Sequence, residues 1–176
     1  MKKLALLLLC LCLVCSAAYA EDAVIVLNWE EVGTEDVLAA GSFQQIDIPG
    51  LPSVLFWIPS TMAPVDVSVI EGNFKPDALY ATEDQSNSMA VFVMQISSLK
   101  EFAALMESEG GGSNFHDVKI NGVDCFCYTV ESAGLDCMVY PVSDTVVVTL
   151  NCSPLNGDEN FDAIKGVIFA SLQLAK

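Results

Sequence analysis

The residues of this chain able to do chemistry beyond surface charge exchange are four cysteines and one histidine: Cys125, Cys127, Cys137, Cys152 and His116. Three more cysteines, Cys10, Cys12 and Cys15, stand in the first twenty residues. Thiols and an imidazole admit three chemistries: a disulfide, a metal site, or a nucleophilic Cys–His dyad. No other reaction has a motif to stand on. There is no G-x-S-x-G, no H-E-x-x-H and no P-loop. The triple glycine at Gly110–Gly112 reads as a helix stop, because no strand directly precedes it as a phosphate cradle requires.

Which of the three chemistries applies depends on how the surrounding strands are phased. Four strands are predicted at roughly 114–120, 123–131, 135–142 and 146–152. Asn121-Gly122 is a strong two-residue hairpin signal and sets Ile120 opposite Val123. Ser132-Ala133-Gly134 as a three-residue loop sets Glu131 opposite Leu135, and Asp144-Thr145 sets Ser143 opposite Val146. Side chains alternate along a strand, so these registers sort residues onto two faces. One face collects His116, Val118, Ile120, Val123, Cys125, Cys127, Leu135, Cys137, Val139, Val148, Leu150 and Cys152. It is almost wholly apolar and is the expected core face. The other collects Phe126, Tyr128, Met138 and Tyr140 among acids.

On that register Cys137 lies opposite Cys152, within reach of a cross-strand disulfide. Two readings stay open: a Cys137–Cys152 bond, or four free thiols packed as small hydrophobes. A metal is not expected. C-x-C is not the spacing of structural zinc knuckles, and ligands on neighbouring strands form a flat field where zinc wants a tetrahedron. His116 opposite Cys127 makes a dyad imaginable, but a reactive thiolate needs an exposed, electropositive setting. Phe126, Tyr128, Met138 and Tyr140 either lie under a second layer or form a patch for a partner.

Further elements must position that sheet. Strands are expected at Ala23–Asn28, Phe43–Ile48, Ser53–Ile58, Ala78–Thr82 and Met89–Ile96. The stretch Val65, Val67, Val69 alternates like a strand between Pro64 and Gly72. Thr34 caps a short helix through Ala40, and Ser98 with Glu101 forms a capping box for a helix bearing Phe102, Leu105 and Met106. Asp158–Leu174 is amphipathic, with Phe161, Ile164, Ile168 and Leu172 on one stripe and Asn156 and Glu159 near its cap. Strands, a helix, a meander and a closing helix make an α+β domain with an antiparallel sheet.

The compartment is legible at the amino terminus. Lys2 and Lys3, an apolar stretch Leu4–Val14, and Ala18-Tyr19-Ala20 have the order of a cleavable signal peptide spanning residues 1–20. Val14 and Leu9 are too large to precede a lipidated cysteine, so free secretion is expected over anchoring. Residues 21–176 form one secreted, extracellular domain. Losing Lys2 and Lys3 takes the formal net charge from −16 to −18, with no arginine in the chain. Such a protein repels nucleic acid and anionic membrane surfaces. Calcium has no D-x-[DN]-x-[DN]-G loop to occupy, and no run after residue 20 is long enough to span a membrane.

Several segments resemble a known pattern: Ile58-Pro59-Ser60 closing an apolar strand, the Ser98–Phe102 helix start, the Ile120–Val123 hairpin and the Ile168–Gln173 helix end. Together they are similar to small secreted bacterial domains with the element order of the PsbP-like αβα sandwich. The resemblance covers most of residues 43–174. It implies helices on both sheet faces and mildly favours an accessory role. No functional residue is implied by it. The expected function is therefore a non-catalytic binding or accessory domain, without cofactor, for a protein or small-molecule partner. The alternative is a small secreted hydrolase or thiol-redox protein using Cys127 and His116.

Overall fold

A computed structural model describes residues 24–70, 75–155, 157 and 159–175. The expected signal peptide, the cap candidate Asn156 and the expected helix start Asp158 lie outside these residues. Eleven strands form two sheets among the described residues. β1 (Ile25–Leu27), β4 (Met62–Pro64), β5 (Ala78–Thr82), β6 (Ser88–Gln95), β7 (Ser113–Ile120), β8 (Val123–Val130), β9 (Leu135–Ser143) and β10 (Val146–Ser153) build the larger one, in the order β1-β7-β8-β9-β10-β6-β5-β4. All neighbours there are antiparallel except β1, which runs parallel to β7 along one edge. β2 (Gly41–Ile46), β3 (Val54–Pro59) and β11 (Gln173–Leu174) form the smaller sheet, with β3 central. Four helices accompany them: α1 (Trp29–Val32), α2 (Glu35–Ala39), α3 (Leu99–Ser108) and α4 (Glu159–Ala170).

The layers follow from the apolar patterns. One face of the larger sheet gives Val118, Ile120, Cys125, Met138, Tyr140, Val148 and Leu150 to the main core. Phe56 and Ile58 of β3 and Phe161, Val167 and Ile168 of α4 close over it. The other face is covered by α3, whose Phe102 packs with Phe126, Tyr128, Cys137, Val139 and Val147. Ser98 caps α3 by accepting the Glu101 N–H, as the capping box predicts. Leu105, expected on the buried face, is 44% exposed. Trp57 is core, as its place in an apolar run suggests. This is the α+β architecture with helices on both sheet faces that the sequence implies.

β9 departs from the expected register. The loop after β8 is one residue longer than assumed: Glu131–Ala133 form a 3-10 turn and Gly134 takes the left-handed φ of 65°. Val130, not Glu131, therefore pairs with Leu135. A side-chain period of two turns that single-residue slip into an inversion of the whole strand. A bulge at Val142 then restores the phase, so Ser143 meets Val146 as expected while Pro141 meets Val147. Strands β7, β8 and β10 keep their predicted faces and β9 alone is flipped.

Two expectations fall with it. Cys137 stands opposite Asn151 and Cys152 opposite Asp136, which sends the two thiols to opposite faces of the sheet. No disulfide joins them, and all four described cysteines are free and buried. The patch also dissolves: Phe126 and Tyr128 lie under α3, whereas Met138 and Tyr140 belong to the main core. The segment read as alternating is a 3-10 turn at Val67–Val69.

The closing helix is shorter than its apolar pattern, ending at Ala170 rather than Leu174. Ser171 stands just past that end. Its fully buried hydroxyl accepts the Trp57 N–H at 2.7 Å and donates to the Ile168 carbonyl at 2.6 Å. The chain then turns outward so that Gln173 and Leu174 pair with Leu55 and Val54. Replacing Ser171 by alanine leaves the Trp57 amide buried without an acceptor. We expect a loss of about 2 kcal/mol, read as a lower urea midpoint at unchanged slope. A midpoint equal to that of the parent would show that this bond contributes nothing.

Candidate functional site

A cleft of ≈1020 Å³ opens between the meander and α4. Its apolar wall comes from Ile25 and Leu27 of the edge strand, Val118, Met138 and Phe169. Polar groups line the rest: Asn114, His116, Thr129, Glu131, Asp136, Asp162 and Lys165. A smaller hollow of ≈530 Å³ lies between α3 and the β7 edge, with Val24, Lys100, Phe115 and Asp124 among its walls. The larger cleft is the one in which most of the chemistry-bearing side chains meet.

Lys165 is the unexpected member. It stands on the buried stripe of α4, four residues after Phe161 and three before Ile168, with its side chain only 5% exposed. A buried ammonium must be paired or neutralised. Its three N–H bonds are met by Asp136 at 2.5 Å, Asp162 at 2.8 Å and the Leu155 carbonyl at 3.0 Å. The ammonium also sits 5.6 Å from the Phe161 ring centroid. Burial pulls the Lys165 pKa down, but the Asp136 and Asp162 carboxylates outweigh it and leave it above the ordinary value. Asp136 is available for this only because β9 is flipped. The sequence did carry a signal for Lys165, a lone lysine at a core position of an amphipathic helix.

The predicted pairing of His116 with Cys127 across β7 and β8 holds. His116 is exposed at the cleft mouth, and its Nδ1 lies 3.0 Å from the Asn114 carbonyl. A carbonyl only accepts, so that contact takes an Nδ1–H, and in the neutral ring Nε2 is then the lone-pair nitrogen. Cys127 donates its S–H to the Met138 sulfur at 3.6 Å. Burial pushes the Cys127 thiol well above its ordinary value, with the nearby Asp136 charge adding to the effect. The Cys125 and Cys137 thiols are raised by burial to about 12, and burial raises Cys152 as well. All four are held as neutral thiols at neutral pH. Among the described residues no three His, Cys, Asp or Glu side chains converge as a metal-binding group. Nor is any described helix long and apolar enough to cross a membrane.

No family model and no curated protein matches this sequence. Solved structures do match, among them the solution structure of cyanobacterial PsbP from Synechocystis. That likeness covers 76% of this chain and 93% of that one, at 12% identity and a TM-score of 0.49. It is a likeness of fold to the PsbP-like group, and no residue role passes across it.

Proposed function

We propose that residues 21–176 are a secreted, non-catalytic binding domain whose ligand seat is the cleft between α4 and the meander. The observation that carries this reading is the cleft itself. It has an apolar wall, a few converging polar groups and a volume of ≈1020 Å³, at the upper end of the range for small-molecule sites. Three carboxylates and one already-paired lysine line it, so a neutral or cationic ligand suits it better than an anion. Catalysis by a thiol has no support in a site that holds the thiols protonated.

The binding half of the reading is tested with Nile red, a neutral apolar dye whose emission brightens out of water. Purified protein should bind it, and Ile25→Asp, a change in the half-buried edge wall, should weaken binding at least about fivefold. Absence of dye binding, or an unaffected Ile25→Asp variant, would sink the cleft as a ligand seat. The non-catalytic half is tested by thiol reactivity. Iodoacetamide at pH 8 should leave Cys125, Cys127, Cys137 and Cys152 unmodified in the native state and label all four on unfolding. A single thiol modified within minutes would move the reading to thiol chemistry at Cys127 and His116. The mass of protein recovered from the medium, expected to start at Glu21, tests secretion.

A further inference from the structure

The soft donors of the cleft form a row. His116 on β7 pairs with Cys127 on β8, and Cys127 pairs in turn with Met138 on β9. Directly opposed residues share a face with Cβ atoms roughly 4.5–5.5 Å apart. The three side chains therefore run side by side across three strands, and all three line the same cleft. Only the inversion of β9 makes this row, because the expected register puts Val139 opposite Cys127, where Met138 now stands.

We propose that this row binds a monovalent soft metal ion, Cu(I) or Ag(I), through Cys127 Sγ, Met138 Sδ and His116 Nε2. The inference rests on the reading of the cleft as a binding site and names the ligand class for its inner end. Donor type is the first argument. A thiol beside a thioether selects Cu(I)-like ions, whereas a thioether is not among the ligands zinc uses. Geometry is the second. The two sulfurs are 3.6 Å apart, and with metal–sulfur bonds of about 2.3 Å they subtend roughly 100° at an ion between them. That leaves a third position in the plane, which the His116 imidazole, one strand beyond Cys127, fills by turning toward the sulfurs. A flat row of donors is wrong for a tetrahedral ion and right for a three-coordinate one.

Charge is the third argument. On binding, the Cys127 S–H bond breaks, its proton leaves to solvent and a metal–sulfur bond forms. One thiolate and one monovalent cation sum to zero, so the buried end of the cleft acquires no net charge. A divalent ion would bring a further positive charge to the inner end beside Val118 and Met138, at the desolvation cost that buried charges carry. The Asn114 carbonyl, 3.0 Å from His116 Nδ1, is the kind of partner that holds the Nδ1 proton of a metal-binding imidazole and frees Nε2 for the metal.

Ag(I) is the probe, since it keeps its valence in air. Titration of purified protein in chloride-free buffer, followed by native mass spectrometry, should show one tightly held silver replacing one proton. The apparent affinity should rise about tenfold per pH unit, because one proton is released. Met138→Leu conserves volume and should fold as the parent does, yet lose at least about tenfold in affinity. Cys127→Ser should lose at least about 100-fold, no less than the loss of an orienting partner costs at other metal sites. His116→Gln should lose affinity, whereas Cys152→Ser, altering a buried thiol outside the cleft, should not. Equal affinity of the parent and Met138→Leu, an equal loss in Cys152→Ser, or no silver bound would each overturn the proposal. The Met138→Leu comparison reads this site alone, whatever other thiols the chain carries. If silver fails while Nile red still binds, the metal site is wrong and the cleft stands. If the dye fails while silver binds in the expected order, the reverse holds.

Discussion

Lys165→Met is expected to lower the free energy of unfolding by about 3 kcal/mol. Methionine replaces the aliphatic stem of the lysine, so the change isolates the ammonium. Three donors vanish at once. Asp136 and Asp162, with side chains 29% and 46% exposed, then face each other without the cation between them, and the Leu155 carbonyl loses its bond. Breaking a buried ion pair from one side costs about 3–5 kcal/mol. The lower end applies here because both carboxylates reach solvent. Removing the stranded charge should recover part of the loss, so Asp136→Asn should stabilise the Lys165→Met variant while destabilising the parent. Equal effects of Asp136→Asn in the two backgrounds would deny the coupling.

The same residue sets a pH signature. Burial works to lower the Lys165 pKa, the two carboxylates raise it, and the carboxylates prevail. A lysine whose pKa is raised on folding contributes stability that is fully present below its unfolded value, about 10.4. That contribution fades as pH climbs through the higher folded value. The deficit of Lys165→Met should thus be constant between pH 6 and 9. The two stability curves should approach one another only above about pH 10.4. Urea denaturation at four or five pH values measures this. A deficit that shrinks between pH 7 and 9 would mean that Lys165 is not held as an ammonium.

What could be read from the sequence, and what could not, turns on β9. The strands flanking it carried their own phase: Ile120 and Val123 met across Asn121-Gly122, and Val118, Cys125 and Leu150 are buried on the expected face. In β9 the run Cys137-Met138-Val139-Tyr140 is buried on both faces. A strand apolar at every position has no alternation to phase it. Its register then hung on the length of one loop, and a 3-10 turn at Glu131–Ala133 consumed one residue more than a three-residue hairpin does. The candidate site inherits the consequence. His116 and Cys127 were legible as neighbours, but Met138 and Asp136 entered the cleft only through the flip. Lys165 was invisible to motif reading, because its partners come from β9 and from its own helix.

Asn121→Ala is expected to cost about 3 kcal/mol, although the residue lies at an exposed turn. The hairpin signal accounts for its backbone: φ is 49°, in the left-handed region that asparagine tolerates and alanine resists. It does not account for the side chain. Asn121 Oδ1 accepts the Trp29 N–H at 2.7 Å, and Nδ2 donates to the carbonyls of Ala170 at 3.0 Å and Leu172 at 2.8 Å. Its own N–H donates to the Leu27 carbonyl. One residue thus ties the end of β1, the start of α1 and the end of α4 to the β7–β8 hairpin. Three side-chain bonds at about 1 kcal/mol each, with the left-handed backbone on top, make up the expected cost after a discount for exposure. Asn121→Gly keeps the backbone freedom and loses only the side-chain bonds, so it should cost about 1 kcal/mol less than alanine. Were glycine as damaging as alanine, backbone strain would play no part. Were both harmless, the three bonds would be ornamental. Because β1 and α4 both line the cleft, the folded Asn121→Gly protein should also bind Nile red more weakly than the parent. An unchanged dye affinity would separate the stability of the domain from the shape of its site.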